Sequence, residues 1–296
     1  MKKVFLLMLA AGLLASCEKA SFNDVLEDEG GAEYPVYGKV KKFTFTLKGD
    51  FSDEWKPVTR AYLNAEGKDL TDVWVLDYMD GNLVQQLHQS DNTAEDFGQP
   101  VMNLSYGTHH VYFIASRGTD AVLDTENHLI KFGKISDTFY KDYEVSVVST
   151  TNGNRAVTLD RCVTRLRLTF TDAISADAAT INVAPHTWYY GLDYIDGTPA
   201  DAKTDQTVTI TIPDSEKGKT DVRTNIFGFS TAAEWTTNVA INSKTSTNTI
   251  IGQASITSAP FKANRITDYS GPLFSSEGSM TLSLNDTWDN AYNGAW

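Results

Sequence analysis

A two-residue rhythm runs through most of this chain and restricts it to β-sheet folds. Val40, Phe43, Phe45 and Leu47 stand in a stretch interleaved with Lys and Thr, and Leu166, Leu168 and Phe170 alternate with Arg and Thr. Val208, Ile210 and Ile212 alternate with threonines, and Met280, Leu282 and Leu284 close the series. Between them lie apolar runs of strand length: Val73–Leu76, Val111–Ile114, Tyr143–Val148, Ile226–Phe229 and Ile250–Ile251. Residues at i and i+2 share a face in an extended strand, so the pattern buries one face and wets the other. The runs are rich in β-branched and aromatic residues and are bounded by the turn formers Gly, Asn, Asp and Pro. No stretch sustains a 3.6-residue apolar stripe for about twelve residues. The Ala- and Asp-rich segment 171–180 is the best candidate for one short helix. The chain reads as all-β.

At roughly 150 residues per domain, 296 residues make about two domains. The polar cluster Thr150-Thr151-Asn152-Gly153-Asn154 is a turn signal near the middle, which sets the expected halves at 36–155 and 156–296. An internal echo supports the division. Leu76-Asp77-Tyr78-Met79-Asp80-Gly81 and Leu192-Asp193-Tyr194-Ile195-Asp196-Gly197 each end in Asp-Gly, a favoured hairpin pair because both residues tolerate positive φ. A chance match in a β-rich chain explains the echo equally well. With 41% hydrophobic and 11% aromatic residues the chain has ample material for packed cores. Its net charge of −13 disfavours nucleic acid and anionic headgroups as partners, since both need a basic face.

The first residues read as an address. Met1-Lys2-Lys3 precedes Val4–Leu14, an apolar run of eleven residues. That is too short to cross ~30 Å of hydrocarbon and suits the core of a signal peptide. It ends in Leu14-Ala15-Ser16-Cys17, which resembles a bacterial lipobox: residues 1–16 are removed and Cys17 carries lipid, palmitate included. An ordinary secretory signal with an incidental cysteine is the rival reading. Removal of the signal leaves 280 residues (296 less 16) and a net charge of −15, with 23 Lys and Arg against 38 Asp and Glu. Residues 17–35, with Glu27-Asp28-Glu29-Gly30-Gly31, read as an acidic tether. Cys162 is then the one unmodified thiol, so neither an intramolecular disulfide nor a multi-cysteine metal site is available. In its strand-like surroundings it reads as a small core residue rather than a nucleophile.

Catalytic chemistry is sparse. His88, His109, His110, His128 and His186 stand in no HExxH or zinc-ligand spacing, and His109-His110 points its rings to opposite faces of a strand. No Gly-x-Ser-x-Gly elbow or phosphate-binding glycine loop is present. Asp193, Asp196, Asp201 and Asp205 could be placed for acid/base work on sugars, or form a solvated acidic loop. Trp188-Tyr189-Tyr190, Trp235, Trp288 and Trp296 could stack on sugar rings, or fill and close sandwich cores. No enzyme activity, metal or cofactor is expected.

Several stretches resemble the fimbrial lipoproteins of Bacteroidales, the shaft and anchor subunits of type V pili. They are the lipobox, Val73–Gly81, Leu104-Ser105-Tyr106-Gly107-Thr108 leading into Val111–Ala115, Asn264–Tyr269, and the tail Trp288–Trp296. The resemblance implies two tandem β-sandwiches of transthyretin-like, Greek-key type behind a lipidated tether, on the outer membrane and facing outward. It implies adhesion without catalysis and, as partners, other fimbrial subunits, the membrane through the lipid, and host or bacterial surface ligands. In shaft subunits an outside protease cuts after Arg or Lys, the first strand leaves, and a neighbour's C-terminal strand fills the groove. Here Arg60, in Lys56-Pro57-Val58-Thr59-Arg60-Ala61, is the candidate cut, and Met280, Leu282 and Leu284 form the candidate donor strand. An uncut Arg60 is merely a loop arginine and makes the protein an anchor or a stand-alone adhesin. A surface glycan-binding lipoprotein is the alternative function.

Overall fold

The computed structural model describes residues 39–49, 63, 70–275 and 280–285. The expected signal peptide, Cys17, the tether, Arg60, Trp288 and Trp296 lie outside the described residues. From Gly38 onward the chain forms one compact unit. In order its strands are β1 (Val40–Lys48), β2 (Asp72–Met79), β3 (Asn82–Gln89), β4 (Val101–Ser105), β5 (Gly107–Ser116), β6 (Thr119–Asp124) and β7 (Leu129–Lys134). Then come β8 (Thr138–Val147), β9 (Asn154–Thr158), β10 (Asp160–Arg161), β11 (Val163–Phe170), β12 (Thr180–Pro185), β13 (Thr187–Asp193) and β14 (Thr198–Thr204). The last are β15 (Val208–Thr211), β16 (Val222–Phe229), β17 (Trp235–Lys244), β18 (Ile250–Phe261), β19 (Ile266–Gly271) and β20 (Thr281–Asn285).

Two sandwiches result, each closed by the alternation seen in the sequence. In the first, β4-β1-β9 faces β10-β8-β5-β2-β3. Phe43, Phe45, Met102, Leu104 and Val157 of the one sheet meet Val73, Val75, Val111, Phe113 and Val145 of the other. In the second, β16-β11-β19-β20 faces β15-β12-β17-β18, with Leu166, Leu168 and Phe170 against Ile181, Val183, Val239 and Ile241. Each fully buried side chain of this size contributes about 1.5–3 kcal/mol of transfer free energy. Residues 155 and 156 lie inside β9, which pairs in parallel with β1.

A fifth sheet, β14-β13-β7-β6, takes two strands from each half. Its seam is the antiparallel pairing of Gly191, Leu192 and Asp193 with Lys131, Ile130 and Leu129. It covers a third core in which Leu76, Tyr112 and Ile114 meet Ile130, Phe132, Leu192, Phe227 and Phe229. The two echoing hexamers meet here: both form hairpin ends, and the Tyr78 and Tyr194 hydroxyls hydrogen-bond at 2.9 Å. At the first, Asp80 and Gly81 take φ of 51° and 76°, the double positive pair a two-residue hairpin requires.

Segment 171–180 is not a helix, which corrects the sequence reading. Ile174 and Ala178 are buried in the second core, and the Ile174 N–H and C=O bond to Lys219 and Gly218 across a loop. A stretch this short gains too little from its own ladder to outweigh such tertiary partners. The helical element among the described residues is a single 3-10 turn, Asp214–Glu216.

Candidate functional site: the first and last strands

β1 sits in the middle of its sheet, antiparallel to β4 and parallel to β9. The alternation places Phe43 and Phe45 inward, where both are fully buried, and leaves Thr46 exposed. The two rings stack at 5.8 Å, and Phe45 packs edge-on against Phe113 at 5.0 Å and Tyr143 at 6.2 Å. The turn that the sequence placed at mid-chain grips this strand. Gly153 C=O accepts the Thr44 N–H at 2.8 Å, and Ser149 C=O accepts Lys41 Nζ at 2.9 Å. Gly153 permits that approach, because a Cβ there would stand 2.1 Å from the Lys42 carbonyl oxygen. β1 therefore fills a slot bounded by two strand edges, with its two large side chains spaced i, i+2 buried in it.

β20 is the opposite kind of strand. It pairs antiparallel with β19 at the edge of its sheet, Leu282 opposite Tyr269 and Leu284 opposite Thr267. Thr281 to Leu284 are all exposed, Leu282 at 41% and Leu284 at 43%, while Met280 packs against the second core. An exposed edge strand with apolar side chains is a template for pairing with another chain. Leu63, three residues beyond Arg60, is a contact the sequence did not reveal. Its N–H donates to the Arg223 carbonyl at 2.9 Å and its side chain packs against the second core.

The residues considered for chemistry are engaged elsewhere. Asp193 accepts the N–H groups of Ile195 (3.0 Å) and Asp196 (3.2 Å) and closes a turn. Asp201 holds Lys203 at 2.7 Å and Lys131 at 3.4 Å; burial pushes its pKa up, but those two ammonium groups outweigh it and set the carboxyl below its ordinary value. Asp205 pairs with His186, and Asp196 stands exposed. The two adjacent histidines do point apart: His109 is buried against Asp77 at 2.7 Å, and His110 meets Asp142 at the surface. His88 stacks on Trp74 at 3.7 Å and bonds Asp72 at 2.6 Å. Among the described residues no group of three His, Cys, Asp or Glu is arranged to hold a metal ion, and no helix is long and apolar enough to cross a membrane.

Trp188 is not a sugar platform. It is fully buried, its indole N–H donates to the Phe227 carbonyl at 2.8 Å, and it packs with Trp235 and Phe261. Cys162 is buried, and burial drives its thiol pKa far up. Only the thiolate reacts, so Cys162 is expected to resist a thiol reagent at pH 8 until denaturant is added. Prompt modification of the native protein would show that the strand is open.

No family model and no curated protein sequence matches the chain. Solved structures do match it. One is a candidate adhesin from Bacteroides ovatus, at 10% identity over 83% of this chain and 95% of that one, with a TM-score of 0.51. A second candidate adhesin from the same species aligns at 12% identity over 78% of this chain and 87% of its own, with a TM-score of 0.50. The chain has the all-β fold of these proteins.

Proposed function

We propose that the protein is a non-enzymatic, lipid-anchored adhesion protein of the cell surface, a pilus subunit or anchor that assembles by β-strand addition. The observation that carries this reading is the contrast between its end strands: β1 is a central strand with two buried rings, and β20 is an exposed edge strand with an alternating apolar face. The fold shared with the Bacteroides ovatus adhesins supports it. In this reading the first half receives a strand and the second half gives one. Ladder hydrogen bonds supply affinity, and side chains at every second position fill the pockets.

Cleavage after Arg60 would sever β1 and the lipidated Cys17 from the rest of the chain, in which the Leu63 N–H bonds the Arg223 carbonyl. N-terminal sequencing of surface-isolated protein tests this. Ala61 at the N-terminus marks a shaft-type subunit; a blocked Cys17 in assembled material leaves an anchor. The attachment is tested separately. Cys17→Ser is expected to lose labelled palmitate and to leave the membrane fraction, and unchanged labelling removes the lipoprotein reading.

A further inference from the structure

The chain changes character abruptly between β19 and β20, and one side chain makes the change. Asp172, immediately after β11, accepts three consecutive backbone N–H groups: Leu273 at 3.0 Å on Oδ1, and Phe274 at 2.7 Å and Ser275 at 2.8 Å on Oδ2. Leu273 is buried in the second core, and its carbonyl oxygen lies where a Cβ on Gly252 would come within 2.6 Å of it. Beyond Ser275, Met280 still packs against the second core, whereas Thr281 to Leu284 take no part in it. Ser276-Glu277-Gly278-Ser279 carries no apolar side chain to bury, and β20 is paired on one side only, with Thr281–Leu284 exposed.

We propose that Asp172 is a positioning residue for strand donation: its carboxylate pins residues 273–275, so that only the chain beyond Ser275 leaves the body for a second copy. This rests on the strand-addition reading above. A carboxylate that accepts several backbone N–H groups is among the stronger hydrogen-bonding arrangements available, whereas an exposed edge strand opens at little cost. The pin also fixes reach. Five Cα steps separate Ser275 from Met280, so a donated strand starts within about 17 Å of the pin. A neighbour's groove must come that close. Without the pin, residues 273–275 lose their shared acceptor, and the donor loses its fixed origin although β19 stays paired with β11.

Amide hydrogen exchange on the full chain tests the pin, and an SDS-resistant ladder formed after limited cleavage by an arginine-specific protease tests its use. In wild type, residues 281–284 should exchange at least about tenfold faster than 273–275. Asp172→Ala should speed exchange at 273–275 by about 100-fold and cut ladder yield about tenfold; Asp172→Asn, which keeps an uncharged acceptor, should fall between the two. If the alanine variant does not fold, the asparagine variant carries the comparison. Unchanged exchange at 273–275, or an unchanged ladder beside a laddering wild type, overturns the role of Asp172 alone. A wild type that never ladders after cleavage overturns strand addition, and this inference with it.

Discussion

The Phe43→Ala/Phe45→Ala double variant is expected to lose about 5–8 kcal/mol of stability, enough to unfold a typical domain at room temperature. Both rings are fully buried, each truncation costs about 3–5 kcal/mol, and their mutual stacking at 5.8 Å makes the pair less than additive. Thr46→Ala, on the exposed face of the same strand, should stay within about 0.5 kcal/mol. Urea unfolding followed by circular dichroism separates the two. A loss below about 2 kcal/mol for the double variant would show that β1 is not seated as described. In the assembly proposed above, the energy lost on truncation is what an incoming strand would have to replace.

Asp137→Ala is expected to cost about 3–5 kcal/mol. Arg161 grips the Asp137 carboxylate through Nε at 2.6 Å and through a second guanidinium nitrogen at 3.1 Å, and Arg117 adds a third contact at 3.2 Å. The side chains of Asp137 and Arg161 are each 2% exposed, so removing the carboxylate strands positive charge where water does not reach it. Arg161 also donates to Asn264 at 2.8 Å, just before β19, and so ties the first sandwich to the second. Thermal unfolding of Asp137→Ala beside Asp137→Asn measures the charge against the hydrogen bonds. Equal melting temperatures for the alanine variant and wild type would mean that the cluster is solvated.

The sequence announced the strands that are covered on one face and hid those whose role is tertiary. β1 was legible because Phe43, Phe45 and Leu47 sit at every second position with Lys and Thr between them. β20 was legible in the same way, although alternation alone did not disclose that Leu282 and Leu284 stay exposed. β11 misleads in part. Its Arg165 and Arg167 occupy the polar phase of the alternation, yet both are buried, bonded to Asn225 at 2.8 Å and Asp268 at 2.9 Å. Alternation reports side-chain phase and is silent on what covers the second face. β14, Thr198–Thr204, carries Pro, Ala, Asp and Lys between its two terminal threonines, a weak strand composition that gains its place by pairing with β13. The Asp172 pin was invisible because its partners lie about a hundred positions away, 101 to 103 residues along the chain.

The sheet shared between the halves bears on how a single copy answers a pull. Within each copy, tension meets the β7–β13 seam, the third core and the Arg161 cluster side by side, so these yield together or not at all. In a filament assembled as proposed above, each copy would therefore act as one stiff bead.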